Sequence, residues 1–230
     1  MQVTTYRLRP RHWPSGLRLR IAVLTDFHAH PQCMGAAEIA SVVAQTNALA
    51  PDLILLLGDY GSQSPDPVPF ETVAGLLRGL RAPKGVYAIQ GNHDWGDDCK
   101  ARQRGHGPTR AERALRAAGI SFIENATVRL DLPAPIWLAG LESEETPRVP
   151  QEQKQFDNYR RDVLARTLLD VPPDGHVLLL AHEPDIFALG LDPRIILTLS
   201  GHTRRADSHS RLVALDSFAL WFEIRLRPHR

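Results

Sequence analysis

The chain has 230 residues, 43% of them hydrophobic, 23% charged and 7% aromatic, which suits one large globular domain or two small ones and excludes a disordered chain. A formal net charge of +1 argues against a broad nucleic-acid surface, and apolar runs such as residues 53–57 fall far short of the roughly 20 residues a membrane span needs. With no apolar leader and only two cysteines, Cys33 and Cys99, a cytoplasmic protein with reduced thiols is expected, and a metal role for the cysteines is disfavoured.

Along the chain, Tyr6 to Trp13 mixes basic and aromatic residues as membrane-surface segments do, which marks a candidate peripheral membrane contact. The alternation of Leu17, Leu19 and Ile21 with Arg18 and Arg20 favours instead a first strand with one exposed face. A strand is expected over 19–25, then a helix over 35–47 with Ile39, Val42 and Val43 on one face. A second strand over 53–57 is followed by a helix over 70–80 that aligns Val73, Leu76, Leu77 and Leu80, and by a strand over 85–90. The helix expected over 109–118 has capping-box spacing in Thr109 and Glu112 and a left-handed stop in Gly119. Strands over 121–124 and 136–141, a helix over 156–168 stopped by Asp170 and Pro172-Pro173, and strands over 176–181 and 194–199 complete a layered α/β pattern without repeats.

Five of these strands end in polar residues: Asp26-Phe27-His28, Gly58-Asp59, Gly91-Asn92-His93-Asp94, Ala181-His182-Glu183 and Gly201-His202. Loops beyond the carboxyl ends of strands are where α/β sheets bind ligands, because the strands hold those residues around a crevice. Singly, each is ordinary turn chemistry. Together they supply carboxylates, imidazoles and an amide oxygen, a nitrogen and oxygen set suited to Mn²⁺, Fe or Zn²⁺ rather than to a thiolate metal.

In order and spacing these motifs resemble the five of the calcineurin-like metallophosphoesterases, over residues 19–203, and Pro51-Asp52-Leu53 and His182-Glu183-Pro184-Asp185 resemble its YkuE-like bacterial branch. The resemblance implies a four-layer αββα sandwich of two mixed sheets and a phosphodiester or phosphomonoester hydrolase that uses two divalent metal ions and a metal-activated water. It further implies that Asp26 and His28 bind one metal, that Asn92, His182 and His202 bind the other, and that Asp59 bridges them. Two cations roughly 3.5–4 Å apart need such a shared carboxylate. His93 is expected to meet the departing oxygen as a proton donor, with Asp94 orienting it and raising its pKa. His30 is a weaker candidate for shaping the site, and Arg102 and Arg104 could meet an anionic substrate.

The last motif departs from the family. Where members read Gly-His-Thr-His-Gly-Gly-Gln, this chain reads Gly201-His202-Thr203-Arg204-Arg205-Ala206-Asp207, and an arginine cannot lose its proton to become a ligand. Only His209 stands near enough in sequence to substitute. Composition breaks at the same point: no glycine follows Gly201, and six arginines against three acidic residues lie between Arg204 and Arg230. Permitted codons for Arg204 onward, shifted by a restored CA, spell His-Gly-Gly-Gln-Ile-Arg. Residues 1–203 are therefore read as the metallophosphoesterase domain, incomplete at its end and lacking its last strands, and 204–230 as an atypical, frameshifted tail. A small-molecule or lipid-linked phosphoester is the expected substrate, with a catalytically impaired scaffold as the competing reading.

Overall fold

The computed structural model describes residues 3–8, 10–62, 64–190 and 192–202, together with the backbone of Leu212–Ala214 and Leu220–Ile224. In chain order the elements are β1 (Thr4–Leu8), β2 (Leu19–Leu24), α1 (Ala36–Ala48), β3 (Leu53–Leu56), α2 (Phe70–Leu77) and β4 (Val86–Ala88). There follow α3 (Asn92–Gly96), α4 (Cys99–Arg104), α5 (Arg110–Ala117), β5 (Ser121–Phe122), β6 (Ala126–Arg129) and β7 (Ile136–Gly140). The chain continues with α6 (Gln153–Thr167), β8 (His176–Leu180), a 3₁₀ turn (Pro184–Leu189), β9 (Ile195–Ser200), β10 (Leu212–Ala214) and β11 (Leu220–Ile224). One sheet runs β1-β11-β2-β3-β4-β5 and the other β10-β9-β8-β7-β6.

Strands β2, β3, β8 and β9 are apolar almost throughout because both of their faces are buried, as in sheets covered on two sides. Their alternating side chains feed different layers. Leu19, Ile21, Val23, Leu53 and Leu55 face Ile136, Leu138, Leu178 and Leu180 between the sheets. Ala22, Leu24, Ile54 and Leu56 meet Ile39, Val42, Val73, Leu77 and Leu115 of α1, α2 and α5 on one outer face. Ala139, Val177, Leu179 and Ile195 meet Val163 and Leu164 of α6 on the other. This is the αββα sandwich that the family resemblance implies.

Parallel pairing fixes the rim. Ile21 stands opposite Leu53, Ile54 opposite Val86, Val177 opposite Ile195, and Trp137 opposite Val177, so β2, β3 and β4 of one sheet and β7, β8 and β9 of the other each end at a common level.

Several elements depart from the sequence expectation. Strand β1 holds Tyr6 in a pairing with β11, and Trp13 is buried between the sheets, its Nε1 donating to the Leu17 carbonyl at 2.9 Å. Asn92–Gly96 is a short helix where a loop is expected, with Gly91 as its N-cap. Two strands lie in the 204–230 stretch, where the sequence pattern placed none: β10 pairs with β9, and β11 lies between β1 and β2. His209 and Arg204 fall outside the described residues. Cys33 and Cys99 are free and exposed. Among the described residues no helix is long and apolar enough to cross a membrane.

Candidate metal centre

The loops leaving β2, β3 and β4 are laced together by their backbones. Asp26 N donates to Gly58 O at 3.1 Å and His28 N to Asp59 O at 3.0 Å. Asp26, His28, Asp59 and His202 have left-handed φ of 54°, 41°, 57° and 62°, and they are four of the seven non-glycine residues with positive φ among those described. Such backbone costs roughly 1–3 kcal/mol per residue and persists only where its surroundings enforce it. Close approach also requires glycine. Gly58 has φ +101°, and a Cβ there would run into the Gly91 backbone, while a Cβ on Gly91 would strike Asp59 Oδ1 and His182.

His182 is fully buried. Its Nδ1 lies 2.6 Å from the Leu57 carbonyl oxygen, which can only accept, so Nδ1 carries the proton and Nε2 faces the rim. There Nε2 is 3.2 Å from Asn92 Oδ1 and 3.2 Å from Asp59 Oδ2. His202 brings Nδ1 to 3.0 Å from Asn92 Oδ1, and its backbone N–H reaches both Asp26 oxygens at 3.3 and 3.2 Å. Ligand atoms of Asp59, His182 and His202 all lie within 4.8 Å of one another.

This convergence is the test of whether the residues fit a cation. With Nε2 deprotonated, His182 adds a lone pair to those of the Asp59 carboxylate and the Asn92 amide oxygen in one small space, and the three repel unless positive charge, a cation or a proton on Nε2, sits among them. The ionisation of His182 records that demand: burial alone would lower its pKa, but the Asp59 carboxylate carries it up to about 10. Asp26 and Asp59 respond in the opposite sense. Burial pushes both up, and the surrounding histidines bring both below the usual carboxylate range. A cation of nitrogen and oxygen preference fits the donors present.

The other half of the rim is looser. His28 Nε2 is 3.7 Å from Asp26 Oδ1 and 3.6 Å from Asp59 Oδ2. Its ring meets His93 edge-on with centroids 4.5 Å apart, and the ligand atoms of His28, Asp59 and His93 again lie within 4.8 Å of one another.

Asp94 has a different role from the one expected. It is fully buried and accepts from the backbone N–H groups of Asp59, Tyr60 and Gly91, each at 2.9 Å. The buried Nδ1 of His93 has no hydrogen-bond partner, so Asp94 does not orient that ring. The His93 pKa is accordingly lowered, by burial first, rather than raised. Asp94 instead ties the Gly-Asp loop to the Gly-Asn loop, and it sets Asp59 beside Asn92. His93 reaches the same construction through its backbone, which donates to Asp59 Oδ1 at 2.9 Å.

Sequence reasoning missed several supporting groups. Thr25 Oγ1 donates to Asp26 Oδ2 at 2.6 Å and fixes that carboxylate. Tyr60, buried behind the site, donates to Ile89 O at 2.9 Å. Glu183 accepts from Ser143 Oγ at 2.6 Å and Glu144 N at 3.0 Å, which moors the 142–151 loop to the strand end that carries His182. Arg148 of that loop lies 5.6 Å over the Trp95 ring and pairs with Glu142. The only signal for Glu183 was its place beside His182. Of the weaker candidates, His30 accepts from Gln32 N at 3.3 Å within its own turn, and Arg104 donates to Pro108 O at 3.2 Å.

The profile of the calcineurin-like phosphoesterase family matches residues 19–206. The chain is 28% identical over 191 residues to a Danio rerio transmembrane protein with metallophosphoesterase domain, covering 80% of this chain and 40% of that protein. It is 29% identical over 168 residues to the Bacillus subtilis uncharacterized metallophosphoesterase YkuE, covering 72% of this chain and 51% of YkuE. The chain thus spans about half or less of the length of these relatives. In fold it is similar to the TT1561 protein of Thermus thermophilus, with a TM-score of 0.57 at 12% identity over 90% of this chain and 89% of that one.

Proposed function

The chain belongs to the calcineurin-like phosphoesterase family, and from that premise we propose that it is a divalent-metal-dependent hydrolase of phosphodiester or phosphomonoester bonds. The observation that carries this reading is the meeting of His182 Nε2, Asn92 Oδ1 and Asp59 Oδ2 at 3.2 Å on one rim. Asp26, His28 and Asp59 would hold one cation and Asn92, His182 and His202 the other, with Asp59 common to both. When bound, the pair supplies charge that lowers the pKa of an attacking water and offsets charge on the phosphoryl oxygens, and the hard donor set favours Mn²⁺, Fe or Zn²⁺.

The chain's own residues do the positioning. Asp94 holds the Asp59 and Gly91 backbones, the Leu57 carbonyl fixes the His182 tautomer, and Thr25 fixes Asp26. With a lowered pKa, His93 stands as a neutral imidazole at neutral pH. It offers an N–H to the departing oxygen as a hydrogen-bond donor, where a charged acid was expected.

One observation favours a second reading. The looser half of the rim has donors 3.6–3.7 Å apart, and the sequence places Arg204 where family members carry a histidine ligand. A chain that fills only the tighter half would be a scaffold with impaired turnover. Metal analysis after reconstitution with Mn²⁺, joined to a screen of phosphomonoesters and phosphodiesters, separates the two. Two ions per chain with hydrolysis that is abolished by exhaustive chelation supports the enzyme; hydrolysis that survives chelation ends the metal reading.

A further inference from the structure

Beside the rim lies a groove of about 450 Å³, within the range of ligand pockets, between α4 and the start of α6. Arg102, Glu144, Glu145, Gln151, Gln153 and Phe156 line it. Two features place it next to the chemistry. Arg102 stands on α4, which follows α3 and its Asn92 and His93 after two residues. The opposite wall is the 142–151 loop, which Glu183 moors beside His182 and whose Arg148 lies over the Trp95 ring of α3.

The lining restricts what fits. Arg102 is offset by Glu145, and Glu144 is already paired with the buried Arg160, so the lining has no excess positive charge and a second phosphate is disfavoured there. An acyl chain would need an apolar lining, yet apart from Val149, Pro150 and Phe156 the walls are charged or amide side chains. Carboxylate oxygens accept from hydroxyls, and amide side chains both donate and accept. Phe156 is half-buried with the Arg160 guanidinium 4.8 Å from its ring, and it offers a small aromatic surface suited to the C–H face of a sugar.

We propose that this groove binds the alcohol part of the phosphoester, and that this part is an uncharged, polyhydroxylated group of the size of a hexose. The proposal rests on the phosphoesterase reading of the neighbouring rim and names the substrate class for it. Gln151 and Gln153 supply the hydroxyl contacts that discriminate it from an alkyl alcohol; both are exposed, so truncating them leaves the core and the metal ligands intact.

Calorimetry on the Mn²⁺-loaded chain tests it with two inert phosphonates that share a headgroup, one carrying a hexose and one an n-hexyl chain. The hexose phosphonate should bind about 10-fold tighter, the worth of one or two net hydrogen bonds. Replacing both glutamines, Gln151→Ala with Gln153→Ala, should erase the difference while metal content stays unchanged. Equal or weaker binding of the hexose phosphonate, including no binding of either, overturns the assignment, as does a difference that survives the double substitution. Turnover of a simple aryl phosphodiester is measured separately: if it is absent while the binding preference holds, the enzyme reading fails and the groove stands.

Discussion

The two halves of the rim differ in how far their donors are already assembled. Around Asn92, His182 and His202 the separations are 3.0–3.2 Å, and the anchoring groups are buried: Leu57 O behind His182, and Asp94 behind Asp59 and Gly91. Around Asp26 and His28 they widen to 3.6–3.7 Å, and the His28 side chain is 39% exposed against 0% for His182. A preassembled set loses less conformational freedom on binding a cation, so affinity should be unequal between the halves, with the tighter half filling first. Asp59 belongs to both, and it decides whether they act together.

The largest effect is therefore expected at that shared carboxylate. Asp59→Asn should remove metal from both halves and lower kcat on the order of 10⁴-fold or more, since ligands that act as a unit fail together. Metal stoichiometry by elemental analysis checks it, and retention of both ions would break the bridging assignment.

The halves should then come apart under single substitutions. His182→Ala is expected to weaken the tighter ion by more than about 100-fold, beyond the 10–100-fold typical of an outer-shell partner, and to leave the looser ion little changed; His28→Ala should do the reverse. Titration of each variant with Mn²⁺ gives two affinities to compare. If both variants lose the same ion, this division of ligands is wrong.

His93→Ala should cost about 10²–10⁴ in kcat with both affinities unchanged, the range for a group that helps proton transfer. Loss of metal from this variant would reassign the ring to the looser half, whose donors His28 and Asp59 it already approaches.

The contrast between the halves also marks where the sequence was readable. Apolar runs ending in Gly58-Asp59 or Gly91-Asn92 are legible because buried strands and close-packed glycines leave a strong local pattern. The partners of Asp94 were not, since its three N–H donors lie up to 35 positions away and a carboxylate after a histidine looks like that histidine's partner. Strand β1 escaped because its inward residues alternate with exposed ones over only five positions and its neighbour β11 comes from the far end of the chain. The 142–151 loop was silent for the same reason: Ser143 finds Glu183 40 residues on.

The tail offers a test at the level of the gene. If its codons encode His-Gly-Gly-Gln in the shifted frame, the looser half lacks a ligand through a reading-frame change, and Arg204→His alone should raise that half's affinity for Mn²⁺ by about 10-fold. Codons without that alternative reading dismiss the frameshift and leave Arg204 as real divergence.

The smallest expected effect lies behind the tighter half and bears on stability alone. Glu124 accepts from Gln90 Nε2 at 2.7 Å beneath the Gly91-Asn92 loop, and its side chain is 14% exposed. Burial pushes its pKa up to about 7, against an ordinary value of 4.5, despite the Gln90 hydrogen bond and Arg148. The unfolded chain releases this proton near pH 4.5 and the folded chain near pH 7, so the stability that the protonated form confers is whole below pH 4.5 and is lost as pH rises through 7. A glutamine keeps the acceptor for Gln90 and never ionises. Glu124→Gln should therefore match the parent near pH 5 and exceed it by about 1–2 kcal/mol at pH 8, the lost Arg148 attraction trimming the gain that the full shift would give. Urea midpoints of the metal-free proteins at the two pH values check this. A difference of the same size at both would mean that Glu124 ionises in the folded chain as it does in the unfolded one, and that the tighter half is braced by a charge rather than by a shared proton.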